Sequence, residues 1–143
     1  MFQIVNHSRD EFSLTSDPSK IDTSVVYTLL STSYWAKNRS RTLIDKSIQN
    51  SLCFSIFDKD KQIGFARIVT DGATFAYLCD IIIDPTYRGH GLGQWVMSHI
   101  LDHPDIKDLR RRILVTKDAQ VFYEKFGFNN LENPGKYMEM VKG

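Results

Sequence analysis

Two periods of apolar residues alternate along this chain. Val25, Val26, Leu29 and Leu30 recur at helical spacing behind Asp22 or Thr23, either of which can cap a helix. Ser40 opens a second helical pattern, with Leu43, Ile44 and Ile48 on one face. Strand-like runs then follow at residues 51–58, 62–70 and 74–83. Asp58-Lys59-Asp60-Lys61 and Asp71-Gly72 are turn signals between them, so the three runs predict an antiparallel meander. Helical spacing returns from Gly91 to Leu101 and stops short of Pro104. A strand at 111–115, a helix at 118–126 and a closing strand pair at 128–131 and 137–141 complete the pattern, with Asn133-Pro134-Gly135 turning the pair. Residues 3–7 form a candidate first strand, and Asp17-Pro18-Ser19-Lys20 a turn.

The third meander strand, Tyr77-Leu78-Cys79-Asp80-Ile81-Ile82-Ile83, leads through Asp84-Pro85-Thr86-Tyr87 into Arg88-Gly89-His90-Gly91-Leu92-Gly93. A helix starts there. Its first N–H groups lack intrahelical partners and carry a partial positive charge. Glycines let that backbone take φ > 0 and approach a ligand closely, so a phosphate or pyrophosphate is the natural guest. A Walker A loop would end in Gly-Lys-Ser/Thr, whereas Gly93 is followed by Gln94 and Trp95. A dinucleotide fingerprint needs G-x-G-x-x-G at the first strand-to-helix turn, whereas these glycines are spaced G-x-G-x-G past the middle of the chain.

Arg88-x-x-Gly91-x-Gly93 resembles the R/Q-x-x-G-x-G/A motif of the GNAT family, the GCN5-related N-acetyltransferases. Downstream, Thr116-Lys117-Asp118-Ala119-Gln120-Val121-Phe122-Tyr123-Glu124-Lys125-Phe126-Gly127-Phe128 is similar to the family's second signature, a short helix carrying F-Y-x-K-x-G-F. The two motifs cover about the C-terminal half of the chain. The resemblance implies an α/β fold with a mixed, mostly antiparallel, splayed sheet and helices on both faces. It implies transfer of an acetyl group from acetyl-CoA, as cosubstrate, to a primary amine on a small molecule or peptide. The rivals are a silent acyl-CoA-binding sensor or scaffold, and an enzyme acting on protein lysines or N-termini. A homodimer is compatible with the resemblance.

Length and composition narrow the setting. With 143 residues the chain is read as one domain, 1–143, long enough for a sizeable core. Its 42% hydrophobic and 24% charged residues are ordinary globular values. Eighteen Lys and Arg against seventeen Asp and Glu leave a net charge of +1, so no global field recruits nucleic acid or an anionic membrane. No apolar run approaches the roughly 20 residues of a spanning helix, and residues 1–9 carry no signal-peptide pattern. Cys53 and Cys79 both fall in strand-like runs and read as buried free thiols in a cytoplasmic setting. Neither they nor the four histidines have metal-ligand spacing, so no metal is expected.

Acyl transfer to an amine requires a held cosubstrate, a deprotonated amine and a proton for the departing thiolate. Under the resemblance, the loop residues Arg88, Gly89, His90, Gly91, Leu92, Gly93 and Gln94 hold the cosubstrate. The backbone of Ile82 and Ile83 pairs with the pantetheine arm like an added strand. Asp118 stands where many family members have Asn, and either caps its helix or touches the cosubstrate. Asp80 is the only acid in its apolar run and is the candidate base, directly or through water, against a purely structural alternative. Simple alternation puts Asp80, Ile82 and Asp84 on one face, with Cys79, Ile81 and Ile83 on the other, unless a bulge intervenes. Tyr123 matches the tyrosine that donates a proton to the leaving thiolate. Tyr34 and Trp35, with Tyr77, are candidate walls of the acceptor pocket. No cysteine lies in a nucleophile motif, so direct attack in a ternary complex is expected.

Overall fold

The computed structural model describes residues 1–142. Six strands form one sheet in the order of the sequence: β1 (Asn6–Arg9), β2 (Phe12–Thr15), β3 (Leu52–Asp58), β4 (Lys61–Thr70), β5 (Phe75–Ile83) and β6 (Arg111–Leu114). Pairing is antiparallel from β1 to β5, and β6 runs parallel to β5. Helices α1 (Thr23–Ser31) and α2 (Arg41–Gln49) lie between β2 and β3 in the chain, α3 (Leu92–Leu101) between β5 and β6, and α4 (Gln120–Glu124) after β6.

The caps fall where the side chains allow. Asp22 accepts from Ser24 N and Val25 N to start α1, and Ser40 accepts from Leu43 N to start α2. Two cores form on opposite faces of the sheet. Phe54, Ile56, Ile68 and Leu78 pack with Val96, Met97 and Ile100 of α3. Cys53 and Phe65 pack with Val26, Leu30 and Ile44 of α1 and α2.

Several expected elements shift. The first strand is Asn6–Arg9, paired with a strand at Phe12–Thr15 that the apolar pattern does not suggest. Its turn is Asp10-Glu11, with Asp10 at φ +55°, rather than an Asn-Gly or Asp-Gly signal. Leu43, placed by spacing on the buried face of α2, is exposed. The closing strand pair does not form: residues 128–142 contain only a 3₁₀ turn at Pro134–Lys136. Tyr137 instead turns its hydroxyl and ring to the Arg111 guanidinium on β6, and Met138, Met140 and Val141 face solvent.

The β5–β6 junction shapes the site. Their pairing ends at Leu78↔Leu114, while β5 runs on to Ile83. The sheet therefore splays, and the last five residues of β5 have a strand on one side only.

Candidate active site

A bulge sits at the splay. Arg67 of β4 opposes Cys79, and Phe65 opposes Ile82, so Ala66 alone faces Asp80 and Ile81. Asp80 absorbs the irregularity at φ +51°, a conformation that costs a non-glycine residue about 1 kcal/mol or more. The bulge corrects the simple alternation. Before it, Ala76 and Leu78 face α3. After it, Ile81 and Ile83 do, while Ile82 joins the α1/α2 core. Cys79 lies in the cross-strand row Cys53↔Arg67↔Cys79, on the same side as Asp80 rather than opposite it.

The Asp80 side chain is 1% exposed and closely held. Oδ1 accepts from Trp35 Nε1 at 2.9 Å and from Arg39 Nη1 at 2.9 Å. Oδ2 accepts from Arg39 Nη1 at 2.8 Å and Arg67 Nε at 2.8 Å. Burial alone pushes its pKa up. The Arg67 hydrogen bond and the charges of Arg67 and Arg39 outweigh burial, so the carboxyl is held below its ordinary range. Arg67 also donates to Ser51 Oγ at 3.2 Å. Neither arginine stands out in the sequence, because they reach Asp80 from 41 and 13 residues away.

Past Ile83, Asp84 caps a 3₁₀ turn, Pro85–Tyr87, by accepting from Thr86 N. The glycine loop follows, with Gly89 at φ +86° and Gly91 at φ +67°. A Cβ on Gly89 would meet open space, so its conformation rather than crowding calls for glycine. The first α3 bond runs from Trp95 N to Gly91 O, which leaves the N–H groups of Leu92, Gly93 and Gln94 ahead of the helical ladder. Gly93 lies close against the Phe122 ring, which ties the first turn of α3 to α4. Tyr87 donates to Asp58 Oδ2 at 2.7 Å and anchors the loop's entry to β3.

Two concave regions lie near the splay. A cleft of about 340 Å³ is lined by Thr32 to Trp35, Ile81 to Ile83, Pro85 and Arg88. It joins the unpaired end of β5 to the first residue of the loop. A larger cavity of about 700 Å³ lies between β6, α4 and residues 128–137, and none of residues 88–94 lines it. Tyr123 is on the wall of this larger cavity. Its phenol pKa is pushed up by burial and then by Tyr34, so it stays protonated at neutral pH.

Of the aromatic candidates, Tyr77 lines neither region. Tyr34 and Trp35 are exposed, stand edge-to-face at 5.2 Å and line the cleft, with Trp35 resting on Asp80. The Tyr34 hydroxyl accepts from Lys117 N at 3.3 Å. Tyr77 is half-buried, and none of its atoms lines the cleft among the described residues. Asp118 does not cap α4: Thr116 Oγ1 accepts from Ala119 N instead. Cys53 and Cys79 are free thiols on β3 and β5, two strands apart and too far for a disulfide. Burial pushes their pKa values up to about 12 and about 11, so neither is a ready nucleophile at neutral pH.

Residues 49–130 match the family model described as an acetyltransferase (GNAT) domain. A protein of Gibberella zeae named as an acetyltransferase is 27% identical over 142 residues, spanning 84% of this chain and 80% of that protein. The crystal structure of a GNAT-family protein from Xanthomonas campestris superposes with a TM-score of 0.89 at 36% identity, covering 92% of this chain and 93% of that one. An acetyltransferase of Clostridium acetobutylicum, solved with acetyl-CoA, shares the fold at 12% identity and a TM-score of 0.64, covering 99% and 96%. The chain belongs to the GNAT family of acetyltransferases.

Proposed function

We propose that this protein transfers an acyl group, acetyl in the simplest case, from acyl-CoA to a primary amine bound in the cleft under Tyr34 and Trp35. One observation carries the reading: the unpaired end of β5 runs directly into a loop of left-handed glycines and unladdered helix N–H groups. An extended pantetheine arm can pair with the backbone of Ile82 and Ile83. A pyrophosphate then meets the N–H groups from Gly89 to Gln94, with Arg88 beside it. The residues therefore fit acyl-CoA, which supplies the activated thioester.

The chain's own groups divide the remaining work. In this reading the Asp80 carboxylate is not the base. Four hydrogen bonds occupy it and its proton affinity is lowered, whereas a general base works best with a pKa near the operating pH. Asp80 instead fixes the bulge and holds Trp35 at the acceptor cleft. The acceptor amine enters as the free base, having lost its proton to water, and its nitrogen attacks the thioester carbonyl. A C–N bond forms, the C–S bond breaks, the Tyr123 hydroxyl gives its proton to the departing sulfur, and the surplus proton on the new amide nitrogen leaves through water and restores the Tyr123 phenol. The raised thiol pKa values of Cys53 and Cys79 support direct transfer without an acyl-enzyme.

Thiol release from acetyl-CoA, measured with the purified protein and a panel of primary amines, tests this. At least one amine should accelerate release, and Tyr123→Phe should lower kcat about tenfold or more while leaving acetyl-CoA affinity unchanged. Binding of acetyl-CoA without thiol release for any amine would favour a silent binding module. Wild-type kcat in Tyr123→Phe would remove that hydroxyl from the proton path.

A further inference from the structure

The hairpin at the opposite edge of the sheet reaches the glycine loop. Arg9, the last residue of β1, donates from Nη2 to His90 O at 2.6 Å. Its guanidinium lies over the Trp95 ring of α3, 5.3 Å from the centroid. Its Nη1 is 3.9 Å from where a Cβ on Gly91 would stand. Phe12, the first residue of β2, meets the His90 ring edge-on at 5.6 Å. The hairpin thus grips the loop at its midpoint by two side chains.

The bond to His90 O has a consequence one atom further on. The peptide between His90 and Gly91 is planar and trans, so its C=O and N–H point in opposite directions. A cation holding the carbonyl on one side presents the Gly91 N–H on the other. The charge-assisted bond also polarises the peptide and makes that N–H a stronger donor.

We propose that Arg9 is a positioning residue for the phosphate end of the cosubstrate, acting through the His90–Gly91 peptide. This rests on the acyl-CoA reading of the loop. It assigns to β1, four strands away from β5, a part in phosphate binding. Trp95 serves as the platform that keeps the guanidinium in place. No direct contact between Arg9 and the ligand is needed.

¹⁵N NMR titrations of the full chain with CoA, inorganic pyrophosphate and pantetheine test this for the wild type, Arg9→Gln and Arg9→Lys. In the wild type, pyrophosphate should move the Gly91 amide, pantetheine the Ile83 amide, and CoA both. Arg9→Gln should weaken CoA and pyrophosphate at least about fivefold and leave pantetheine within twofold, because only the anion donor is disturbed. Arg9→Lys keeps the charge on a single ammonium nitrogen without the guanidinium fork, and should recover part of the lost affinity. It also provides the comparison if the glutamine variant folds poorly. Unchanged CoA affinity in both variants would overturn the proposal. So would an equal loss for pantetheine and pyrophosphate, which would make Arg9 a general support of the fold. If the wild type binds no CoA, the cosubstrate reading fails first, and this inference with it.

Discussion

Trp35, Arg39 and Arg67 meet the Asp80 carboxylate from a loop and a neighbouring strand, and together they hold the only acid on β5. Replacing it by Asn leaves two guanidinium groups facing an amide in a site that is 1% exposed on the Asp side. Breaking a buried pair this way costs about 3 kcal/mol. Asp80→Asn should therefore lower Tm by about 10 °C in a chain of this size. The carboxyl titrates lower in the fold than in the unfolded chain, so its stabilisation is complete above about pH 4 and is lost as pH falls further, through the folded value. Thermal unfolding of the wild type should show this acid step, and the variant should lack it. If Asp80 only positions, the rise of kcat/KM with pH should follow the pKa of the amine supplied and persist in Asp80→Asn. Loss of that limb in a folded variant would restore Asp80 as the base.

At the scale of elements, β5 matters for where it stops pairing. Its free end is held from the β4 side by a close approach: a Cβ on Gly64 would stand 2.7 Å from Ile83 Cδ1 and 3.1 Å from Ile82 O. Gly64→Ala should push the last residues of β5 outward. The overpacking costs about 2 kcal/mol. Acyl-CoA should bind more weakly, because Ile82 and Ile83 are the residues displaced. Calorimetric titration and thermal unfolding of the same variant check both effects, and unchanged affinity would detach this stretch from the pantetheine arm.

The glycine loop and its flanking strand and helix were legible because the signal is local: Gly89, Gly91 and Gly93 lie between a continuous apolar run and a helical one. Contacts across the sheet were not. Arg9 is 81 residues from the carbonyl it holds, and Arg39 is 41 from Asp80. Nothing in their neighbourhoods marks them. The bulge was foreseen only as an alternative, since Asp80 carries none of the glycine that usually announces φ > 0. The C-terminal pattern of Tyr137-Met138-Glu139-Met140-Val141 reads as a strand, yet a strand also needs a partner edge, and there the Arg111 side chain engages Tyr137 instead.

In the whole molecule, the two cores brace a sheet that opens where β5 outruns β6. The α3 core fixes the helix whose N-terminal N–H groups are proposed to hold the phosphates. The α1/α2 core fixes the segment that carries Tyr34 and Trp35. The proposed function rests on that opening, where the unpaired end of β5 continues toward the loop. The most direct measurement is calorimetric titration of acetyl-CoA into the wild type and Gly91→Glu. At Gly91, φ +67° strains any side chain, and a carboxylate there competes with a pyrophosphate for the same loop N–H groups and repels it. The wild type should bind, with its Tm raised by the ligand, and a folded Gly91→Glu variant should lose binding altogether. Equal binding by both proteins, or none by the wild type, would contradict the assignment of the loop.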